Sequence, residues 1–169
     1  MKGEFAAAER LQRESLDVRR RVLGAANPDS AFAVQALATT LEMQGKNQEA
    51  ESLLSDAYRV VTSALGENNP RVATMSVDLA RVRVARGDAA GVEPMMRRAV
   101  AVRQRVFPAD HWRIAEAQAL LGAALAAQHR YDEARALMMA ADRVFKPVPG
   151  RQLRDRQANR ARLRSMPPG

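Results

Sequence analysis

Apolar and small residues step through the start of the chain at intervals of three and four: Phe5, Ala8, Leu11, Ser15, Val18 and Val22. Glu4, Arg10, Arg13, Asp17 and Arg20 fall between them. This spacing predicts an amphipathic helix over residues 4–23 with the charged positions facing outward. The pattern then returns every 42 residues: with Gly3, Gly45, Gly87 and His129 as first positions, four blocks align without a gap to the end of the chain. Their columns agree in chemistry. The thirteenth reads Ser15, Ala57, Ala99, Ala141 and the sixteenth Val18, Val60, Val102, Val144, small and β-branched residues suited to close helix approach. The ninth reads Leu11, Leu53, Met95, Leu137 and the thirty-fifth Leu37, Leu79, Leu121, Leu163, which are expected to plug the core. A fixed period of this length marks a stack of supersecondary repeats.

The punctuation between helices recurs too. "VLGAANP" (22–28) returns as "ALGENNP" (64–70) and, worn, as "VFPADHW" (106–112). Gly24 and Gly66 can take the left-handed conformation that closes a helix, Asn27 and Asn69 can cap the next one, and Pro28 and Pro70 fit its first turn, where no amide hydrogen is needed. A second helix follows in each block, near 28–44, 70–86 and 112–128, ended by Gly45 or Gly87. Each block thus predicts two antiparallel helices.

The helix of "NPxxAxxxxxLA" type, the glycine, then "xxxAExLLxxAxxV" and "LGxxNP" resemble the tetratricopeptide (TPR) repeats of the kinesin light chain type. Glu93-Pro94 also matches a pair common near the start of that family's second helix. The resemblance implies an all-α fold, a right-handed α-solenoid of antiparallel helix pairs with a C-terminal capping helix. It makes residues 1–165 a single domain: a first helix, 4–23, of B type without an A helix before it, three repeats at about 28–65, 70–107 and 112–145, and a cap at about 152–165. Residues 166–169 are expected to be a disordered tail. A B helix without its A partner implies the C-terminal part of a longer polypeptide, or a face covered by dimerisation.

Composition narrows the chemistry. Aromatic content is 4%, and Ala, Leu, Val, Met, Arg and Glu dominate, as in helical proteins. There is no cysteine, and the apolar run "ALLGAALAA" (119–127) is far shorter than the roughly 20 residues that span a bilayer. The reading is therefore a cytoplasmic protein with no membrane partner. Two histidines, no Gly-rich phosphate loop and no paired metal-ligand spacing support neither an enzyme nor a cofactor or metal site. His111 occupies the column of Asn27 and Asn69, so a cap or linker role is expected of it. His129 replaces the hinge glycine and reads as a tolerated exposed substitution. Glu49, Glu51 and Glu93 lie in first helical turns, where the helix dipole favours them.

Binding is the stronger reading. By resemblance, the inner wall of the array comes from successive A helices and carries adjacent asparagines that grip a peptide backbone. Here those columns read Gln35 and Ala36, Val77 and Asp78, Ala119 and Leu120, so the asparagine ladder is missing. The expected peptide-binding concave face is Gln35, Thr39, Thr74, Val77, Asp78 and Arg81, continued by an apolar strip of Ala119, Leu120 and Ala123; the competing reading is a solvated or self-packed face. The formal charge of +8 allows an acidic partner. Arg19 to Arg21, Arg97, Arg98, Arg103 and Arg105 are expected on the outer side, with further arginines at 151, 154, 156, 160, 162 and 164. That distribution keeps nucleic acid as a rival partner, against which stand the few aromatics available for stacking. The function these features favour is a non-catalytic interaction module or scaffold binding a peptide or partner domain, within a larger bacterial signalling or regulatory protein. The alternatives are self-association, as a homodimer through the first helix, and a basic nucleic-acid-binding repeat. Ser76 and Arg83 interrupt core columns of the second A helix, so that repeat is expected to be the most mobile, with Arg83 carrying its charge to the edge.

Overall fold

The structure, a computed structural model, describes residues 2–145 and 151–167. Among the described residues there are nine helices and no strand: α1 (Lys2–Leu23), α2 (Pro28–Phe32), α3 (Val34–Met43), α4 (Asn47–Leu65), α5 (Pro70–Ala85), α6 (Val92–Val106), α7 (Trp112–Ala127), α8 (Tyr131–Val144) and α9 (Arg151–Ser165). They gather into two compact units, Met1–Arg86 and Gly87–Gly169. In the first, α1 packs on α2 and α3, and α4 packs on α2, α3 and α5. In the second, α7 packs on α6 and α8, and α9 closes over α7 and α8. The tail expected at 166–169 lies partly outside the described residues; of its first two residues, Pro167 accepts a hydrogen bond on its carbonyl from Arg135.

Local chemistry sets the helix ends. The Asn27 side chain accepts from the Asp29 amide at 2.8 Å, and Asn69 accepts from Arg71 at 2.8 Å. Such caps stabilise a helix by about 1 kcal/mol each. Gly24 and Gly66 both take positive φ, +92° and +76°, but Gly66 has ψ 152° and so lies outside the left-handed helical region expected for it. The third copy has Pro108 in this column, whose ring forbids positive φ; there the helix ends one residue earlier, on extended Phe107 (φ −121°, ψ 152°). His129, in the hinge column of Gly45 and Gly87, holds φ +62° and is exposed, with Nδ1 2.7 Å from the Tyr131 hydroxyl.

The buried stripe of the B-type helices runs one column later than the ninth. It is Ala50, Leu54, Ala57 and Val61 on α4, and Ala134, Met138 and Ala141 on α8 with Phe145 just past its end. On α6 the stripe is Val92, Met96, Ala99 and Arg103. Leu53, Met95 and Leu137, expected as core plugs, are only half-buried. In α1 the same columns hold Ala8, Gln12, Ser15 and Arg19, so this helix cannot bury the stripe its relatives bury. It turns instead so that Leu16 is buried, and Leu11, Val18 and Val22, expected on the inner face, are 58%, 57% and 75% exposed. Ion pairs and hydrogen bonds fix that rotation: Glu9 accepts from Arg13, from Gln44 at 2.8 Å and from Lys46 at 2.8 Å, and Gln44 also donates to the Phe5 carbonyl. Arg13 further bridges to Glu49. In α5, Ser76 is buried and donates to the Ala73 carbonyl at 2.9 Å, while Arg83 reaches Glu51 at 3.2 Å.

Glu9 belongs to a recurring clamp. In the seventh column Glu9, Glu51 and Glu93 each reach the end of the following A-type helix or the residues just beyond it: Glu9 to Gln44 and Lys46, Glu51 to Arg83 and Arg86, and Glu93 to Arg130 at 2.9 and 3.0 Å. In the fourth block the column holds Arg135, and it reaches the Pro167 carbonyl past α9. The cations hold Glu9 and Glu93 charged. Glu9 is lowered to about 2, chiefly by Lys46 and Arg13, and Glu93 is lowered chiefly by Arg97. A repeated glutamate thus positions each B-type helix start against the helix hairpin that follows it.

Candidate functional site

The two compact units divide the nine residues expected to line a peptide-binding face. In the N-terminal unit, α3 presents Gln35 and Thr39, both half-buried, and α5 presents Thr74 and Arg81 at similar exposure. The Gln35 amide donates to Asp78 at 2.6 Å across the α3–α5 pair. Thr39 donates to the Gln35 carbonyl at 3.0 Å, and Thr74 to Pro70 at 3.1 Å, so both hydroxyls are turned back onto their own helices. Asp78 is buried, because its side chain lies in the α3–α5 interface rather than on the wall. Val77 is fully buried and belongs to the core, since its α5 position points away from the polar edge. Gln35, Thr39, Thr74 and Arg81 remain as the reachable polar set in this unit.

The same edge also carries the apolar side chains of Phe32, Ala36 and Met43. Phe32, Ala36, Thr39 and Met43 are spaced by four, three and four along α2 and α3, with Ala36 and Met43 exposed and Phe32 half-buried. The Arg71 guanidinium sits 3.8 Å from the Phe32 ring centroid and pairs with Asp29 at 3.0 Å. The steps of four from Phe32 to Ala36 and seven from Ala36 to Met43 were visible in the sequence, although only Ala36 and Thr39 on this stripe were noted there.

In the C-terminal unit, Ala119, Leu120 and Ala123 are buried along with most of α7. Ala119 packs with Ala115, Ala141 and Phe145 in a small cluster against α8. The apolar strip expected there is therefore packed surface, because α7 is enclosed by α6, α8 and α9.

The basic residues are also redistributed. Arg103, expected on the outer side, is buried: its side chain is 4% exposed, it donates to Glu116 (2% exposed) at 3.0 Å, and it holds the Arg113 carbonyl. On α9, Arg160 makes a two-pronged bond to Asp142 at 2.7 and 2.9 Å, and Arg156 approaches it at 3.6 Å. Asp142 is lowered from its ordinary value chiefly by Arg160. Asn159, fully buried, donates to the Met138 carbonyl at 2.8 Å. Much of the positive charge thus docks helices. Arg151 lies where its side chain is outside the described residues. Among the described residues no group of three or more His, Asp or Glu side chains is arranged to hold a metal, and no helix is long and apolar enough to cross a membrane.

Antiparallel helix pairs repeating every 42 residues, with a common cap and a common clamp, define an all-α helical-repeat protein of the solenoid class. The tetratricopeptide repeat model matches residues 1–63 and 37–105, and the chain belongs to that family. The structure is similar to a Podosopora anserina kinesin-light-chain-like protein of nearly identical TPR-like repeats, at 20% identity over 96% of this chain and 77% of that one, with a TM-score of 0.74. A single-substitution variant of that protein gives 20% identity, 96% and 76% coverage and 0.75. BtubC (BKLC) from P. vanneervenii is similar at 22% identity over 88% of this chain and 62% of that one, with a TM-score of 0.71. No curated protein matches the sequence. At these identities the structural likeness establishes the fold. Repeats of this family generally serve as non-catalytic scaffolds for protein–protein interaction.

Proposed function

We propose that this chain is a non-catalytic interaction module that binds a peptide or a partner domain along the exposed edge formed by α2, α3 and α5. The observation that carries the reading is the juxtaposition of exposed Ala36 and Met43 with Gln35, Thr39, Thr74 and Arg81. Apolar anchors flanked by hydrogen-bonding side chains and a cation suit an extended or helical peptide bearing acidic residues. The setting, a cytoplasmic signalling or regulatory protein of a bacterium, rests on the family resemblance and on the Ala- and Arg-rich composition. Site-specific photocrosslinking in the source cell tests the surface. A crosslinker at Ala36 should give a discrete protein adduct that Arg81→Glu abolishes, whereas one at exposed Ala101 should not. Equal adducts from both positions would remove this edge from consideration.

A second reading, self-association through α1, is favoured by one observation: Leu11, Val18 and Val22 are spaced along a single exposed face. Sedimentation velocity over a wide concentration range decides it. Concentration-dependent dimerisation that Val18→Glu abolishes supports this reading, and a monomer throughout rules it out.

A further inference from the structure

Two columns of the repeat are covered on every B-type helix except α1. In the thirteenth, Ala57, Ala99 and Ala141 are buried; in the sixteenth, Val102 is buried and Val60 and Val144 are half-buried. On α1 the same columns hold Ser15 and Val18, and both are exposed. The nature of the cover is visible on α8. There Ala141 and Phe145 pack with Ala115 and Ala119 of α7, the helix before it, and Val144 lies against that cluster. The cover is thus a helix that offers two alanines four residues apart, small enough to let the backbones approach closely. Serine and valine on α1 nearly match the shape of alanine and valine on α8, so the seat is kept while no described helix fills it. Leu11 and Val22, both more than half exposed, extend it along the helix at steps of four. The opposite side of α1 is the one that packs on α2 and α3, with Leu16 buried. A contiguous apolar strip left open on an otherwise polar helix marks an interaction surface.

We propose that this face of α1 docks a partner helix whose contact side carries small residues four positions apart and whose flank presents a carboxylate to Arg19. The first feature follows from the α7–α8 pair, which fills the same two columns with alanines. The second follows from charge. Arg19 is exposed beside the strip and has no ion-pair partner among the described residues. The acidic residues of α1 nearest to it, Glu14 and Asp17, lie by helical geometry on the other border of the strip, together with Arg10 and Arg21. A second copy of this chain fits the seat less well. Its alanines in the column of Ala115, namely Ala31 and Ala73, are buried in their own packing. Its α1 would bring Leu11, Val18 and Val22 where the seat takes alanine, and a like-charged Arg19 as well. The proposal is independent of the edge formed by α2, α3 and α5, and it gives the face considered for self-association a different occupant.

The test selects helices on the intact chain. A displayed library of helix-forming peptides is panned on the full chain, and the enriched peptides are titrated by fluorescence anisotropy against variants. Val18 and Arg19 are exposed, so Val18→Glu and Arg19→Glu leave the core packing intact. The enriched peptides should carry Ala, Gly or Ser at two positions four apart and an Asp or Glu beside them. Val18→Glu should weaken their binding about tenfold or more, and Arg19→Glu several-fold. Val106→Glu, at an exposed valine of α6, should leave the affinity unchanged, as should Arg81→Glu, which reads the α2–α3–α5 edge and so keeps the fate of that surface separate. Sedimentation velocity of the chain without peptide should show a monomer. The proposal is overturned by an absence of enriched peptides, by large side chains at the two contact positions, by affinity that survives Val18→Glu or falls with Arg81→Glu, or by a dimer that Val18→Glu dissolves.

Discussion

Replacing Arg103 with valine isolates the energetics of the buried ion pair on α6 and α7. The two groups approach to 3.0 Å with side chains 4% and 2% exposed, so water screens them little. At an effective dielectric constant of about 20 the attraction is roughly 5–6 kcal/mol. Desolvation of the two ions offsets most of it, several kcal/mol for each, which is why such a pair contributes little relative to an apolar pair of equal volume. Removing one partner is different, because the buried Glu116 carboxyl is then left without that cation. Arg103→Val should cost about 3–5 kcal/mol. The chain supplies its own uncharged reference: in the block that begins at Gly45, the same columns hold Val61 and Thr74, and Val61 is fully buried. Arg103→Val with Glu116→Thr should therefore recover most of the loss. Urea unfolding followed by Trp112, the single tryptophan, located at the start of α7, reads this region directly. The single variant should shift the midpoint down by about 1 M or more, given slopes of about 1–3 kcal/mol/M. A single variant within about 1 kcal/mol of the parent, or a double variant no better than the single, would refute the reasoning.

Gly122→Ala should destabilise the C-terminal unit despite alanine's helix propensity, since an added Cβ would stand 2.7 Å from Met138 Cγ and 3.1 Å from the Ala134 carbonyl oxygen. Overpacking of about 1–3 kcal/mol against a propensity gain of about 1 leaves a net loss; a thermal melt showing an unchanged or raised Tm would contradict this. Asn159→Ala removes the buried bond to Met138 and should cost about 1–2 kcal/mol, with faster hydrogen exchange confined to α9; uniform acceleration throughout would show that α9 is not held locally. For Glu9, the folded value near 2 lies below the ordinary 4.5. The stabilisation is therefore complete above about 4.5 and lost as pH falls toward 2, so proteolysis within α1 should accelerate over that window in the parent and be insensitive to pH in Glu9→Gln.

What could be read along the chain was whatever depends on near neighbours. The period of 42, the antiparallel helix pairs, and Asn27, Asn69 and His111 as helix starts all follow from side chains acting on amides two residues away, and such contacts survive any packing. Positive φ at Gly24 and Gly66 was legible for the same reason, though not the extended ψ of Gly66, which depends on where the next helix lies. The tertiary structure decided which face each helix buries. Periodicity gives a stripe its spacing but not its rotation, and α1 shows why: Leu11, Val18 and Val22 are spaced for a core, yet Glu9 bound to Gln44 and Lys46 turns Leu16 inward instead. Arg103 reads as a surface cation until α7 brings Glu116 and the Arg113 carbonyl to it. Val77, Asp78, Ala119, Leu120 and Ala123 fall in the columns of Gln35, Ala36 and Thr39, but exposure is a property of neighbours that lie tens of residues away in sequence. Local capping energies are set by the residues themselves; burial is set by what the fold places opposite them.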